Sequence, residues 1–237
     1  MLKAAEFGPR LTNIDLLEGR QRDSFPEIRD DLFWTCYDKS KDFSMVHITG
    51  FYNIYQSIRY IFKNKLPGDI IECGCFLGGC GIFAGLLLDA LNDTGRTIYL
   101  FDSFEGFPAG EVDYILGKQV KSSRYKNTEQ HVRENIAFAR PGSTNITLVP
   151  GFVEDTLPKF ESGPIALLRL DTDFYNSTKV EFDILYDRLV PGGVLIVDDY
   201  GFFDGSRKAT DEFFAGLDTA PLLNRIDKGV WSGVKPG

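Results

Sequence analysis

Long apolar runs are missing from this chain. None approaches the roughly 20 residues that cross a bilayer, and Met1-Leu-Lys-Ala-Ala-Glu-Phe has no apolar core followed by a cleavage site. A cytoplasmic protein with no membrane partner is expected. Positive charge is in deficit, with 26 Lys and Arg against 34 Asp and Glu and a formal net charge of -8. A generic phosphate-backbone binder presents a basic surface, so no nucleic-acid partner is expected. Cysteine is scarce at 4 residues, with Cys73, Cys75 and Cys80 crowded together and Cys36 apart. That is not a disulfide framework, and three close thiols with no nearby histidine do not complete a zinc tetrahedron. Free, small, buried residues are the expectation. Repeats, low-complexity tracts and linkers are also absent, so the 237 residues read as one large α/β domain.

What is present is an alternation of strand-like and helix-like segments. Ile48 to Lys65 carries Phe51, Ile54, Tyr55, Ile58, Ile61 and Phe62 at spacings of three and four, a helix with one buried face. Asp69-Ile-Ile-Glu72 is a short strand running through a glycine turn into the apolar helical stretch 80–91. Further strands are expected at 96–101, 145–149, 165–170 and 194–197, with helices near 128–139, 177–190 and 206–217. Pro221 to Ile226 and Val230 to Val234 flank Asp227-Lys-Gly229, an antiparallel hairpin. Five parallel strands plus that hairpin predict a doubly wound, seven-stranded, mostly parallel sheet. Residues 1–44 read as an arm or lid, whose aromatic content could support a homodimer. Residues 109–126 are polar without firm periodicity, an insertion near the crevice.

Two strand ends stand out. Arg169-Leu-Asp171-Thr-Asp173 and Val194-Leu-Ile-Val-Asp198-Asp199 are apolar runs that stop in aspartates. In an open α/β sheet those ends line the ligand crevice. Four carboxylates gathered there repel one another unless a cation or shared protons offset them, which predicts a divalent metal site. The competing reading is helix or turn capping, to which Asp173 and Asn176 are suited.

The first glycine turn, Glu72-Cys-Gly74-Cys-Phe-Leu-Gly78-Gly79, has the spacing E-x-G-x-x-x-G. A dinucleotide fold needs its second glycine two residues after the first, so that the backbone approaches a pyrophosphate. Here that position is Cys75, which disfavours a nicotinamide oxidoreductase. Glu72 would repel pyrophosphate but suits the ammonium of an amino acid, and Asp102 at the next strand end suits both ribose hydroxyls. A ligand with a ribose, an amino acid and no phosphate is S-adenosylmethionine.

Asp69-Ile-Ile-Glu-Cys-Gly-Cys-Phe-Leu-Gly-Gly, Phe101-Asp-Ser-Phe-Glu-Gly-Phe-Pro, Gly151-Phe-Val-Glu-Asp-Thr-Leu-Pro, Leu168-Arg-Leu-Asp-Thr-Asp-Phe-Tyr-Asn-Ser-Thr and Pro191-Gly-Gly-Val-Leu-Ile-Val-Asp-Asp-Tyr-Gly occur in that order. Together they resemble the macrocin-type O-methyltransferases over about residues 45–235. That family is class I, dependent on S-adenosylmethionine and magnesium, and methylates sugar hydroxyls on macrolide and aminocoumarin natural products. The resemblance implies a Rossmann-like methyltransferase domain at 45–237 and a hydroxylated, sugar-bearing small-molecule substrate. It makes Asp171, Asp198 and Asp199 the Mg2+ ligands and Asp173 the general base. It places Glu72, Gly74, Gly78, Asp102 and Ser103 at cofactor-binding positions and the turn with Glu154 and Asp155 against adenine. Two other functions fit the same residues: a catechol- or caffeoyl-type O-methyltransferase and a non-catalytic cofactor-binding module. Of the two histidines, His47 is a candidate substrate contact and His131 a solvated side chain.

Overall fold

The computed structural model describes residues 22–108, 112–115, 117–119, 128–139, 145–161 and 163–237. Residues 1–21 of the expected arm, and 109–111, 116 and 120–126 of the expected insertion, lie outside the described residues.

The chain runs α1 (Asp31–Ser40), α2 (Ile48–Lys63), β1 (Asp69–Cys73), α3 (Gly79–Leu91), β2 (Thr97–Asp102), the two-residue strands β3 (Tyr114–Ile115) and β4 (Lys118–Gln119), and α4 (Glu129–Ala139). It continues through β5 (Asn145–Pro150), α5 (Val153–Thr156), β6 (Ile165–Leu170), α6 (Tyr175–Leu185), β7 (Leu189–Val197), α7 (Asp204–Ala215), β8 (Asn224–Arg225) and β9 (Trp231–Val234). The seven-stranded sheet has the order β5-β2-β1-β6-β7-β9-β8. Its first five members are parallel, and β9 runs antiparallel to both β7 and β8. This is the expected sheet with its C-terminal hairpin. The chain leaves β1 in one direction and β6 in the other, so the switch point, where doubly wound sheets bind ligands, lies between their carboxyl ends.

Strand alternation divides the core. Ile70, Ile98, Leu100, Leu167, Val194 and Ile196 face α1, α2 and α3. Ile71, Phe101, Leu168, Leu195 and Val197 face the other way, toward Phe182, Leu185 and Tyr186. Successive residues of a strand point to opposite faces, and β6 is buried along its whole length. The part of the expected arm at 31–40 is a helix whose Phe33 and Tyr37 are fully buried in the first of these layers. Asp30 caps it by accepting from the Leu32 N–H. Residues 189–190, expected to end the helix, and Pro191-Gly-Gly193 after them belong instead to β7, because Lys235 pairs with Gly192 and Gly193 through backbone hydrogen bonds. A register shift opposite Ile165–Leu167 absorbs the extra residues.

Candidate active site

A cavity of about 570 Å³ opens at the switch point. Gly74, Phe76, Asp102 and Ser103 line one side, Phe152, Val153 and Glu154 another, and Asp171, Thr172, Asp173 and Ser177 the floor near β6. Met45, Phe107, Pro108, Ile115, Gln119 and Phe203 complete the wall.

The glycine turn is built around Asp102. One carboxylate oxygen accepts from the N–H groups of Cys75 at 3.0 Å and Phe76 at 2.9 Å, and the other from Phe104 at 2.8 Å. A carboxylate has about four acceptor positions, so Asp102 keeps about one for a ligand where two ribose contacts were expected. Burial raises its pKa, and the three N–H groups oppose that shift. Gly74 has φ +84°, and a Cβ there would stand 1.9 Å from the Asp171 carbonyl oxygen. Only glycine lets the turn after β1 touch the end of β6. Gly78 caps α3 with φ 87°.

Next to this turn, Asp171, Asp198 and Asp199 each place a carboxylate oxygen within 4.8 Å of the others. Oxygen ligands on one octahedral magnesium ion stand up to about 4 Å apart. The oxygen-only donor set and its spacing therefore fit such an ion after small side-chain rotations. Burial pushes the carboxyls of Asp171, Asp173 and Asp199 well above the usual carboxylate range. The charges of the neighbouring aspartates push the same way, and Arg169 opposes them at Asp171 and Asp199. Burial and mutual repulsion therefore favour protons or a cation on the cluster.

Asp173 sits at φ +71°, and the Phe174 N–H donates to the Thr172 carbonyl at 2.8 Å. That is a γ-turn of the rare, strained kind. The Asp173 N–H donates to Asp199 at 3.1 Å, and Thr172 Oγ1 donates to buried Glu181 at 2.8 Å. The turn is therefore held from both sides.

The structure separates the expected site residues. Gly74, Asp102, Ser103, Glu154, Asp171 and Asp173 line the cavity, and Asp198 and Asp199 join Asp171 behind it. Glu72, expected to meet an ammonium group, does not line it: the residue is 4% exposed and accepts from Arg169 Nη1 at 2.6 Å. Glu72 and Arg169 are register partners on adjacent strands, so their side chains leave the same face of the sheet. Gly78 acts at the helix start, and Asp155 lines a separate shallow groove with Asn176 and Lys179. Neither histidine reaches the cavity. His47 caps α2 and bonds Thr49, and His131 lies on α4. All four cysteines are free and buried.

Arg169 was passed over in the sequence, although a basic residue inside a wholly apolar strand run was the available signal. Phe107, Phe203, Ile115 and Gln119 had no such signal, because their shared wall is made by segments far apart in the chain.

The family model described as Macrocin-O-methyltransferase (TylF) matches residues 22–233, reaching further back than the resemblance expected over about residues 45–235. The demethyldecarbamoylnovobiocin O-methyltransferase of Streptomyces niveus is 33% identical over 190 residues, 78% of this chain and 72% of that protein. The 8-demethyl-8-(2,3-dimethoxy-alpha-L-rhamnosyl)-tetracenomycin-C 4'-O-methyltransferase of Streptomyces olivaceus is 31% identical over 191 residues, again 78% of this chain and 72% of that protein. The solved structure of the O-methyltransferase NovP superposes with a TM-score of 0.76 at 32% identity, covering 82% of this chain and 83% of its own.

Proposed function

The chain belongs to the macrocin O-methyltransferase family and is an O-methyltransferase, and from that premise we propose that it methylates a sugar hydroxyl of a glycosylated natural product. In this reading S-adenosylmethionine is the methyl donor, and Mg2+ is held by Asp171, Asp198 and Asp199. The observation that carries the reading is the clustering of those three carboxylates within 4.8 Å, beside a cavity that Asp102 and the Gly74 turn also line. The relatives named above act on novobiocin and tetracenomycin glycoside precursors, which supports a sugar hydroxyl over a catechol.

When bound, the donor supplies an electrophilic sulfonium methyl and the ion a Lewis acid that lowers a hydroxyl pKa. The chain's own residues do the rest. Asp102 directs its remaining acceptor position at a ribose hydroxyl, and the Gly74 turn admits the donor's amino-acid end close to the backbone. Glu154, across the cavity, faces the adenine end. Asp173 takes the hydroxyl proton on its carboxylate as the oxygen attacks. An ordinary aspartate with pKa about 3.9 is a weak base for an alcohol, and burial raises the carboxyl of Asp173 while no ion is bound. Phe76, Phe107, Phe152 and Phe203 shield the sulfonium from water, which favours the loss of its charge. Ile115 and Gln119, which line the cavity, set acceptor choice in this reading.

The test is methyl transfer to a panel of glycosides and catechols. Transfer to glycosides that EDTA abolishes and Mg2+ restores is expected, with Asp198→Ala inactive at any Mg2+ concentration. Activity of chelator-treated Asp198→Ala equal to that of the parent would remove the metal from the mechanism.

A further inference from the structure

The cluster contains a cation of its own. Arg169 is buried near the carboxyl end of β6, its side chain only 3% exposed, between two acidic strand ends. Nη1 lies 2.6 Å from Glu72 Oε1 and 2.7 Å from Asp171 Oδ2, and Nη2 lies 2.5 Å from Asp198 Oδ1. Glu72, Arg169, Asp171 and Asp198 share one face because strand alternation places them with Ile70, Leu167 and Ile196. The guanidinium therefore engages one oxygen of Asp171 and one oxygen of Asp198, and the second oxygen of each is the one it leaves untouched.

We propose that Arg169 is a positioning residue that fixes one-oxygen coordination by Asp171 and Asp198, and so makes the site select a small octahedral cation over calcium. The inference rests on the metal reading above. Calcium takes six to eight oxygens and readily uses both oxygens of a carboxylate, whereas magnesium demands six ligands in near-ideal octahedral array and keeps several waters. With Asp171 and Asp198 each presenting one oxygen clear of the guanidinium, and one more coming from Asp199, half of an octahedral shell would remain for water and acceptor, and a calcium shell would be left short of ligands. Glu72 completes the arrangement from behind, because a guanidinium fork tied to a third carboxylate cannot swing away from the other two.

The readout is a ratio of affinities. Removing a positive charge strengthens every divalent ion alike, and loosening the fold weakens every one alike. Only the number of oxygens offered changes magnesium relative to calcium. Bound Mn2+, followed by electron paramagnetic resonance, is displaced by titrating Mg2+ or Ca2+ in the parent protein and in Glu72→Gln/Arg169→Met, a double variant that removes one buried charge of each sign and frees Asp171 and Asp198 from the guanidinium. The parent is expected to prefer Mg2+, and the preference to shrink at least fivefold in the variant. The infrared carboxylate stretches of the Ca2+ form should also shift toward the two-oxygen pattern. If the double variant does not fold, Arg169→Lys gives the same comparison, since one ammonium cannot serve three carboxylates in the fork geometry. A parent that binds no Mn2+ overturns the metal reading and this inference with it. Binding with a Mg2+ to Ca2+ ratio within twofold of the parent's in the variants overturns the role of Arg169 alone.

Discussion

Asp173 and Glu181 show how burial tunes single carboxyls for different ends. Asp173 is held in a strained turn by contacts from Asp199 and Thr172, so its carboxylate direction is set by backbone geometry. Asp173→Asn keeps that shape and removes the proton acceptor. A fall in kcat of roughly 10²- to 10⁴-fold is expected, with S-adenosylhomocysteine and Mn2+ affinities unchanged by calorimetry. An equal loss of binding would mean that Asp173 only shapes the site. Glu181 lies beneath the same turn, fully buried, with its pKa raised to about 8 by burial against the Thr172 hydrogen bond. The unfolded chain releases this proton near 4.5. The group's contribution to stability is therefore complete below about 4.5 and lost as pH rises through about 8. Glu181→Gln accepts from Thr172 without a charge to bury. Its stability relative to the parent should rise across that window by on the order of 2–4 kcal/mol, read from urea midpoints. A pH-independent difference would show that Glu181 does not hold its proton.

The elements divide into those whose partners are near in sequence or periodic and those whose partners are remote. β1, β2, β5 and β6 could be located because apolar runs ending in Gly, Asp or Pro mark buried parallel strands, and α2 because its apolar residues repeat at helical spacing. The aspartate ends of β6 and β7 were legible for the same reason, since each breaks an apolar run. The γ-turn at Asp173 was not, because nothing local in Asp-Thr-Asp announces a positive φ that neighbouring contacts impose. Glu72 misled because a strand-end carboxylate looks alike whether it faces a ligand or a cross-strand arginine. The described residues 112–115 and 117–119 depend on α7, about 90 positions away. Asp113 Oδ1 accepts from the Gly205 N–H at 3.0 Å, Ile115 bridges Phe203, and the Gly117 N–H reaches Asp204. A Cβ on Gly205 would lie 1.8 Å from Asp113 Oδ2, so the helix start is shaped to receive that side chain. This anchor presents Ile115 and Gln119 to the cavity. Asp113→Ala releases it, and loss of one such bond at about 1.4 kcal/mol predicts a roughly tenfold rise in acceptor KM with little change in donor KM. A rise in donor KM alone would place these residues over the other half of the cavity.

At the scale of the molecule, the sheet gathers four carboxylates on two neighbouring strand ends and offsets them with a single arginine, and this shortfall couples metal, pH and folding. Asp171, Asp173 and Asp199 carry pKa values raised by burial and by one another. Without a divalent ion their contribution to stability is present below their unfolded pKa, near 3.8, and is lost as pH rises through the raised values. An ion bound there replaces the protons and restores stability where the carboxyls would otherwise have to ionise against one another. Binding to the folded state alone adds about 2.7 kcal/mol at a hundred times Kd, which for a domain of this size is roughly 5–10 °C in Tm. Because protons compete for the same oxygens, the gain from Mg2+ should grow as pH is raised from about 6 to about 8. Melting curves with Mg2+ and with EDTA at several pH values measure it. Asp199→Asn should melt higher than the EDTA-treated parent at the upper pH and respond little to Mg2+, since it carries one charge and one ligand fewer. A Mg2+ shift that is flat with pH, or that persists in full in Asp199→Asn, would mean the ion binds elsewhere and that the four strand-end aspartates balance their charge by protons alone.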